Sequence, residues 1–558
     1  MNPETWQFKG KKQETKAGVM MKDMNKVVDK ILDAYPAKVM KNRKEHILVK
    51  DSDDIPKIGA NTRTVPGIIT NRGCCYAGCK GVVIGPIVDM VHIVHGPVGC
   101  SYYAWGTRRN KGRAKEGGKN FLNYAFTTDM QESDIVFGGD KKLAQAIREA
   151  VETFNPRAIS VSATCPVGLI GDDIHKVAKD AEKEFGIPVL AFSCEGYKGV
   201  SQSAGHHIAN NKLMKDVIGT IDIPQPKEKE FTLNILGEYN IGGDEWEISR
   251  VLNKIGYKVV ACMTGNSEYE DIAKSHNADL NLVQCHRSIN YIAEMIEIKY
   301  GMPWMKVNFI GMENMSNTLR NIAKYFGDED LIKRTEAVIA EEISEIEDEM
   351  AYYKEMCEGK TAMLYVGGSR AHHYQGLLGE IGMDTILAGY EFGHRDDYEG
   401  RDVIPDIKLD ADTRNIEEIT VEKDEQKYRL RIPAHRLEEL KKELPLNQYK
   451  GLITDMKTNT VVIDDLNHFE TEVAVKALKP SFFGSGIKDK YMIQKMGIYS
   501  KQMHSYDYSG PYAGYKGAVN FARDTAAGIH TPAWSYTIPP WKKEPIIKGK
   551  VEGVEKVC

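Results

Sequence analysis

Arg72-Gly73-Cys74-Cys75-Tyr76-Ala77-Gly78-Cys79-Lys80-Gly81-Val82-Val83 gathers three of the chain's ten cysteines among small and apolar residues. Thiolates bind soft metals and iron–sulfur clusters, and glycines let the backbone approach an inorganic core. CC-x3-C is still an incomplete ligand set, because a closed site needs about four ligands. The remainder must come from elsewhere in this chain or from another. Further donors stand at loop positions: Cys100 after Gly96-Pro97-Val98-Gly99, Cys165 in Thr164-Cys165-Pro166, and Cys285 after Leu280-Asn281-Leu282-Val283-Gln284. His206-His207 and Arg370 with His372-His373 read equally as structural groups or as functional ones. His504, in His504-Ser505-Tyr506-Asp507-Tyr508, is suited to serve as ligand or proton donor. Gly359-Lys360-Thr361 is no phosphate loop: Lys354 stands where its first glycine belongs, and the triplet precedes a strand. Any nucleotide hydrolysis therefore falls to a partner.

The elements that must position these groups follow a repeated grammar. Leu143, Ile147, Ala150, Val151 and Phe154 recur at helical spacing, then Ala158 to Ala163 reads as a strand. Ile174 to Phe185 and Val189 to Phe192 repeat the pair. The pattern returns at Phe231 to Gly237, a helix capped by Asp244 and closed by Gly256, and the strand Tyr257 to Met263. It returns again at Thr361 to Val366, a helix to Ile381, and the strand Thr385 to Ala388. The fold class is α/β, with three Rossmann-like domains on mainly parallel sheets around a central cleft. The boundaries expected are an N-terminal arm at 1–60, domains at 61–230, 231–360 and 361–540, and a tail at 541–558. The arm reads as a helix near Met24 to Leu32 and an extended segment that wraps a partner or stays mobile. The charged, proline-bearing segment 398–458 reads as a surface insertion of low functional weight.

With 558 residues the chain exceeds what one core serves, and a formal net charge of −5 argues against a nucleic-acid partner. No apolar run is long enough to span a bilayer, and the N-terminus is charged rather than signal-like, so the cytoplasm is the expected location. There, cysteines serve as thiols and metal ligands rather than disulfides.

Arg-Gly-Cys at 72–74, His-Gly-Pro-Val-Gly-Cys at 95–100, Cys-Pro-Val-Gly-Leu-Ile-Gly-Asp-Asp at 165–173, Cys-Glu-Gly-Tyr-Lys-Gly-Val-Ser-Gln-Ser at 194–203 and His-Ser-Tyr-Asp-Tyr-Ser-Gly-Pro-Tyr at 504–512 stand in one order. In that order they resemble the alpha-subunit family of nitrogenase molybdenum-iron proteins, from about Asn61 to Pro540. The segment after Tyr398 resembles the insertion of the clostridial type. The resemblance implies a nitrogenase that reduces dinitrogen to ammonia with dihydrogen evolution. Its partners are a beta subunit, in an alpha2-beta2 heterotetramer, and a homodimeric ATP-hydrolysing iron protein. It implies that Cys74, Cys100 and Cys165 are this chain's half of an 8Fe-7S P-cluster. Cys285 and His504 become the ligands of an iron-molybdenum-sulfur cofactor that carries homocitrate. Val82 would wall its reactive face, with Gln202 and His206 beside it, His206 relaying protons. Arg108 and Arg370 would donate charge-assisted hydrogen bonds, and Gly367 and Gly368 would allow close approach. Lys488 would neighbour homocitrate; Tyr239, Ile241, Ser288 and Phe392 would fill the pocket.

Gln284 and Gln502 depart from the family pattern, where histidine and glutamate are common, and leave the ligands intact. Cys75 and Cys79 match no ligand position and read as packing thiols. Two other readings share the fold: a cofactor-assembly scaffold, and a vanadium or iron-only nitrogenase alpha subunit. A scaffold is expected to lack the histidine ligand, and Arg370 and Lys488 match the molybdenum type better.

Overall fold

The computed structural model describes residues 23–60, 72–108, 110–199, 201–223, 230–404, 416, 419–486 and 489–538. Three sheets organise them. The first is wholly parallel, in the spatial order Phe126–Thr127, Met90–His95, Ala158–Ala163, Val189–Phe192. The second, also parallel, runs Tyr257–Thr264, Phe231–Glu238, Leu280–Val283, Trp304–Lys306. The third has six strands: Ile47–Lys50, Thr460–Ile463, Asp384–Gly389, Thr361–Tyr365, Phe482–Ser485 and Tyr499–Gln502. Only the first of these is antiparallel to its neighbour. Parallel strands covered by helices on both faces are buried along their lengths, as Met90–His95, Ala158–Ala163 and Phe231–Glu238 are here, polar members included. Loops at the carboxyl ends of strands then carry the candidate ligands.

Three expectations are corrected. Beyond the helix Met24–Leu32, the described part of the arm neither extends freely nor stays loose. Ala37–Arg43 is helical and Ile47–Lys50 is an edge strand of the third sheet. Arg43 Nε donates to Glu470 Oε1 at 2.6 Å in a pair 4% and 0% exposed, anchoring the arm. The 398–458 segment is more than a surface insertion. Its Tyr398, Leu446, Tyr449, Leu452 and Ile453 are buried, because they cover apolar faces that the second and third sheets leave open. Arg431 donates to the carbonyls of His276, Ala278 and Tyr300 at 2.6, 3.0 and 2.6 Å. Asp244 does not cap its own helix, which starts at Asp244 with Gly243 as N-cap. Its carboxylate turns instead to the His504 loop. Gly256 does close that helix, at φ +110°. The tail at 541–558 lies outside the described residues.

Candidate functional site

Cys285 ends the chain's run out of Leu280–Val283 and is the N-cap of the helix His286–Tyr300. Gly237, at φ +79°, lets a neighbouring strand end pass against it: a Cβ there would meet Cys285 N and O at 2.8 Å. His504 follows Tyr499–Gln502 and stands on a loop in which Tyr506, Asp507 and Tyr508 all hold left-handed φ, 53°, 52° and 67°. Such a run is strained for side-chain-bearing residues and needs external support. Asp244 supplies it, accepting from Tyr506 Oη at 2.5 Å and from Tyr512 N and Ala513 N at 2.7 and 2.9 Å. Lys490 Nζ holds Asp507 Oδ1 at 2.6 Å. A carboxylate from the second sheet's helix thus fixes a histidine on the third sheet's loop.

Between them lies a cavity with about 490 Å³ of empty space, lined by Cys285, His504, Val82, Gln202, His206, Tyr239, Ser288, Gly367, Gly368, Arg370 and Phe392. Ile241 is buried but outside this lining. Arg108 ends the helix Val98–Arg108; its side chain and Lys488 lie outside the described residues. Glu238, Gln284, Ser369 and His373 also line the cavity, and none of them had been assigned a site role from sequence. Glu238 directly follows the strand expected at Phe231 to Gly237, and Ser369 stands between Gly368 and Arg370; those neighbours are the available signal.

The floor of the cavity is open backbone. A Cβ at Gly368 (φ +67°) would stand 3.1 Å from Cys285 Sγ, and one at Gly367 would collide with the Phe392 ring. Tyr239 Oη donates to Ser288 Oγ at 2.7 Å, which in turn donates to the Cys285 carbonyl at 3.2 Å, fixing that wall. Charge is distributed unevenly. Burial works against Arg370's charge, but Tyr506, Tyr374, Glu238 and Asp244 outweigh it and hold the guanidinium charged. Burial, with Asp244 beside it, pushes Glu238 up to about 8. Burial lowers Lys306 to about 7; its Nζ donates to the Gln284 and Val307 carbonyls and lies 2.9 Å from His373 Nε2. Behind Cys285, His286 bonds Asp397 at 2.6 Å and Ser369 at 2.9 Å, and stacks on Tyr449 of the 398–458 segment with centroids 4.1 Å apart.

A thiol, an imidazole, a buried guanidinium and a Cβ-free cradle suit a compact, anionic metal–sulfur cluster. These residues fit the iron-molybdenum-sulfur cofactor that the family resemblance implies.

The other cysteines meet at the surface. A Cβ at Gly196 would lie 3.0 Å from Cys165 Sγ and 3.6 Å from Cys74 Sγ. Burial raises the Cys100 pKa, and Cys74 and Cys165 add to the rise, so the three thiols are electrostatic neighbours. Cys74 and Cys165 are exposed, and Val98, Tyr102, Leu169 and Tyr197, close in sequence to Cys100, Cys165 and Gly196, are more than half exposed. Among the described residues no three His, Cys, Asp or Glu side chains converge on a single metal ion. Cys75 and Cys79 are fully buried thiols, their pKa values raised by burial.

Between cavity and surface runs Ala77–Ile84, wound as a π-helix, with Gly85 N donating to the Lys80 carbonyl five residues back. Gly78 lies against the Gln202 carbonyl and Gly205 against the Cys75 carbonyl, so closely that a Cβ at either would overlap backbone.

The chain is 61% identical over 518 residues to the nitrogenase molybdenum-iron protein alpha chain of Clostridium pasteurianum, covering 92% of this chain and 96% of that protein. The alpha chain from Methanosarcina barkeri is 53% identical, with 94% and 98% covered. A solved structure described as nitrogenase Cp1 at pH 6.5 superposes with a TM-score of 0.88 at 61% identity, over 92% of this chain and all of that one. The family model for nitrogenase component 1 type oxidoreductases matches residues 74–530, and the chain belongs to that family.

Proposed function

We propose that this chain is the catalytic alpha subunit of a molybdenum nitrogenase, which reduces dinitrogen to ammonia with evolution of dihydrogen. It works in an alpha2-beta2 heterotetramer with a beta chain, and electrons come from an ATP-hydrolysing iron protein. The observation that carries the reading is the single cavity in which Cys285 and His504, from two different sheets, share a lining with the Gly367-Gly368 cradle and buried Arg370. The cofactor, when bound, supplies the multi-electron reduction chemistry.

The chain's residues supply position, charge and protons. Cys285 and His504 hold the cofactor at two points, which leaves the rest of its surface to the protein's lining. Arg370 offers a fixed cation to an anionic group without having to reorganise. Gln202 and His206 flank the site, and His206 is the candidate proton carrier, since an imidazole titrates near neutrality. Val82 narrows access on the face toward Cys74, while Tyr239, Ser288 and Phe392 exclude water. Ile241 packs behind them. Arg108 and Lys488 keep their roles toward cofactor and homocitrate on motif alone. Cys74, Cys100 and Cys165 form half of the P-cluster; the exposure of Cys74 and Cys165 and of the nearby Val98, Tyr102, Leu169 and Tyr197 supports a site finished by the beta chain. We read the chain as an arm at 1–60, domains at 61–230, 231–360 and 361–540, and a tail at 541–558. Among the described residues no helix is long and apolar enough to cross a membrane. The cytoplasm is the location we assign.

The test is His504→Ala in the assembled complex. Molybdenum and acetylene reduction are expected to be lost while the P-cluster signal persists. Full molybdenum content with retained acetylene reduction would remove His504 from the ligand set.

A further inference from the structure

The π-helix has a second face. Val82 lines the cofactor cavity, whereas Lys80 faces a separate small pocket walled by His92, Trp105, Phe121, Leu122 and Tyr124. Lys80 is 7% exposed, and among the described residues its ammonium has neither a hydrogen-bond nor an ion-pair partner. No acid answers it. Asp89, the nearest acid in sequence, accepts from Tyr269 N at 2.8 Å instead. Nor is His92 available. Burial, with Lys80 beside it, lowers the ring's pKa to about 3 and keeps it neutral; with Nε2 donating to the Ile87 carbonyl at 2.9 Å, Nδ1 is left to accept from Ser160 Oγ at 2.7 Å. Trp105 Nε1 is committed to the Leu122 carbonyl at 3.0 Å.

A desolvated cation without a counter-charge is costly, and an anion delivered to it removes that cost. One ammonium balances one negative charge. With His92 and Asn110 committed to protein partners, the side chains left to receive a ligand's tail are Ala104, Trp105, Phe121, Leu122 and Tyr124, which suit an alkyl group better than the hydration shell of an inorganic ion. We propose that this pocket binds a short-chain monocarboxylate, with its carboxylate on Lys80 Nζ and its alkyl end against Trp105, Phe121 and Leu122. The ligand lies on the far side of the helix from the cofactor cavity. Asn110, also in the pocket lining, donates to the carbonyl of the cavity residue Tyr239 at 2.6 Å, a second tie between the two spaces. The inference does not depend on what the cavity holds.

Crystals of the intact complex soaked in bromide and measured at the bromine absorption edge would test it, with acetate or bicarbonate added as competitor. An anomalous peak in contact with Lys80 Nζ is expected, lost on adding acetate and lost in Lys80→Met. Absence of a peak beside the ordered lysine overturns the site. A peak that acetate leaves in place, or that bicarbonate displaces better, overturns the carboxylate assignment. The wild-type competition decides the matter even where the variant does not assemble.

Discussion

Gly368 carries two constraints at once, a backbone at φ +67° and a side-chain direction that points at Cys285 Sγ. Alanine there adds roughly 1 kcal/mol of backbone strain and takes up space beside the sulfur. Gly368→Ala is expected to lower molybdenum per complex several-fold while moving the unfolding midpoint only slightly; metal analysis beside thermal unfolding checks both. Individual residues were legible where a motif named them: Cys285, His504 and Gly368 stand together as their motifs implied. Ser369 and His373 were not, because their places in the lining depend on how the helix Arg370–Glu380 is turned against a sheet of non-consecutive strands. Asp244 misled for a related reason. Acidic residues at a helix start usually serve that helix, and here the carboxylate answers a longer-range demand from three groups on the Tyr506–Ala513 loop.

At the scale of elements, the helices Asp244–Ile255 and Glu329–Ser344 are joined through Glu342, whose side chain is 1% exposed. Arg250 Nη1 and Lys254 Nζ donate to it at 2.7 and 2.9 Å. Burial alone would raise its pKa, but the two cations outweigh that and bring it to about 2. A depressed carboxylate contributes stability that is fully present above its unfolded value near 4.5 and is lost as pH falls toward 2. Glu342→Gln should therefore cost about 1–2 kcal/mol at neutral pH, a figure reduced for screening at the partly exposed Arg250 and Lys254. Denaturant midpoints of variant and wild type should converge between pH 4.5 and 2.5. Strands and helices of this kind were readable from period alone, and Val189–Phe192 has the limits its apolar run implied. The π-helix was not, since glycine-rich close packing on Gln202 and Gly205 sets its winding rather than any local propensity.

For the molecule as a whole, the 398–458 segment adds a tie between the second and third sheets, since Leu446 bridges Met305 beside the one and Tyr398 Oη donates to Asp464 beside the other. Arg431 fastens it through three backbone carbonyls of the 276–300 region, of which the Tyr300 carbonyl also accepts from Arg429 N. Arg431→Ala is expected to ease local opening by about 3 kcal/mol, or about a hundredfold in the open population. Limited proteolysis of the complex should cut within this segment correspondingly faster, and an unchanged rate would show that the buried tyrosines suffice. Composition hid this role: the segment is charged and proline-bearing, and its few apolar residues show no period that would announce a covering layer.

The contact of Gly78 with the Gln202 carbonyl and of Gly205 with the Cys75 carbonyl leaves no slack between Ala77–Ile84 and the helix Ser203–Asp216. Cys74 at one end and Val82 at the other are therefore set at a fixed spacing by backbone-to-backbone contact. The segment is a ruler. If, as proposed, Cys74 holds the electron relay and Val82 walls the cofactor, the separation that electrons cross is set when the chain folds, and a side chain added at Gly78 or Gly205 would change it.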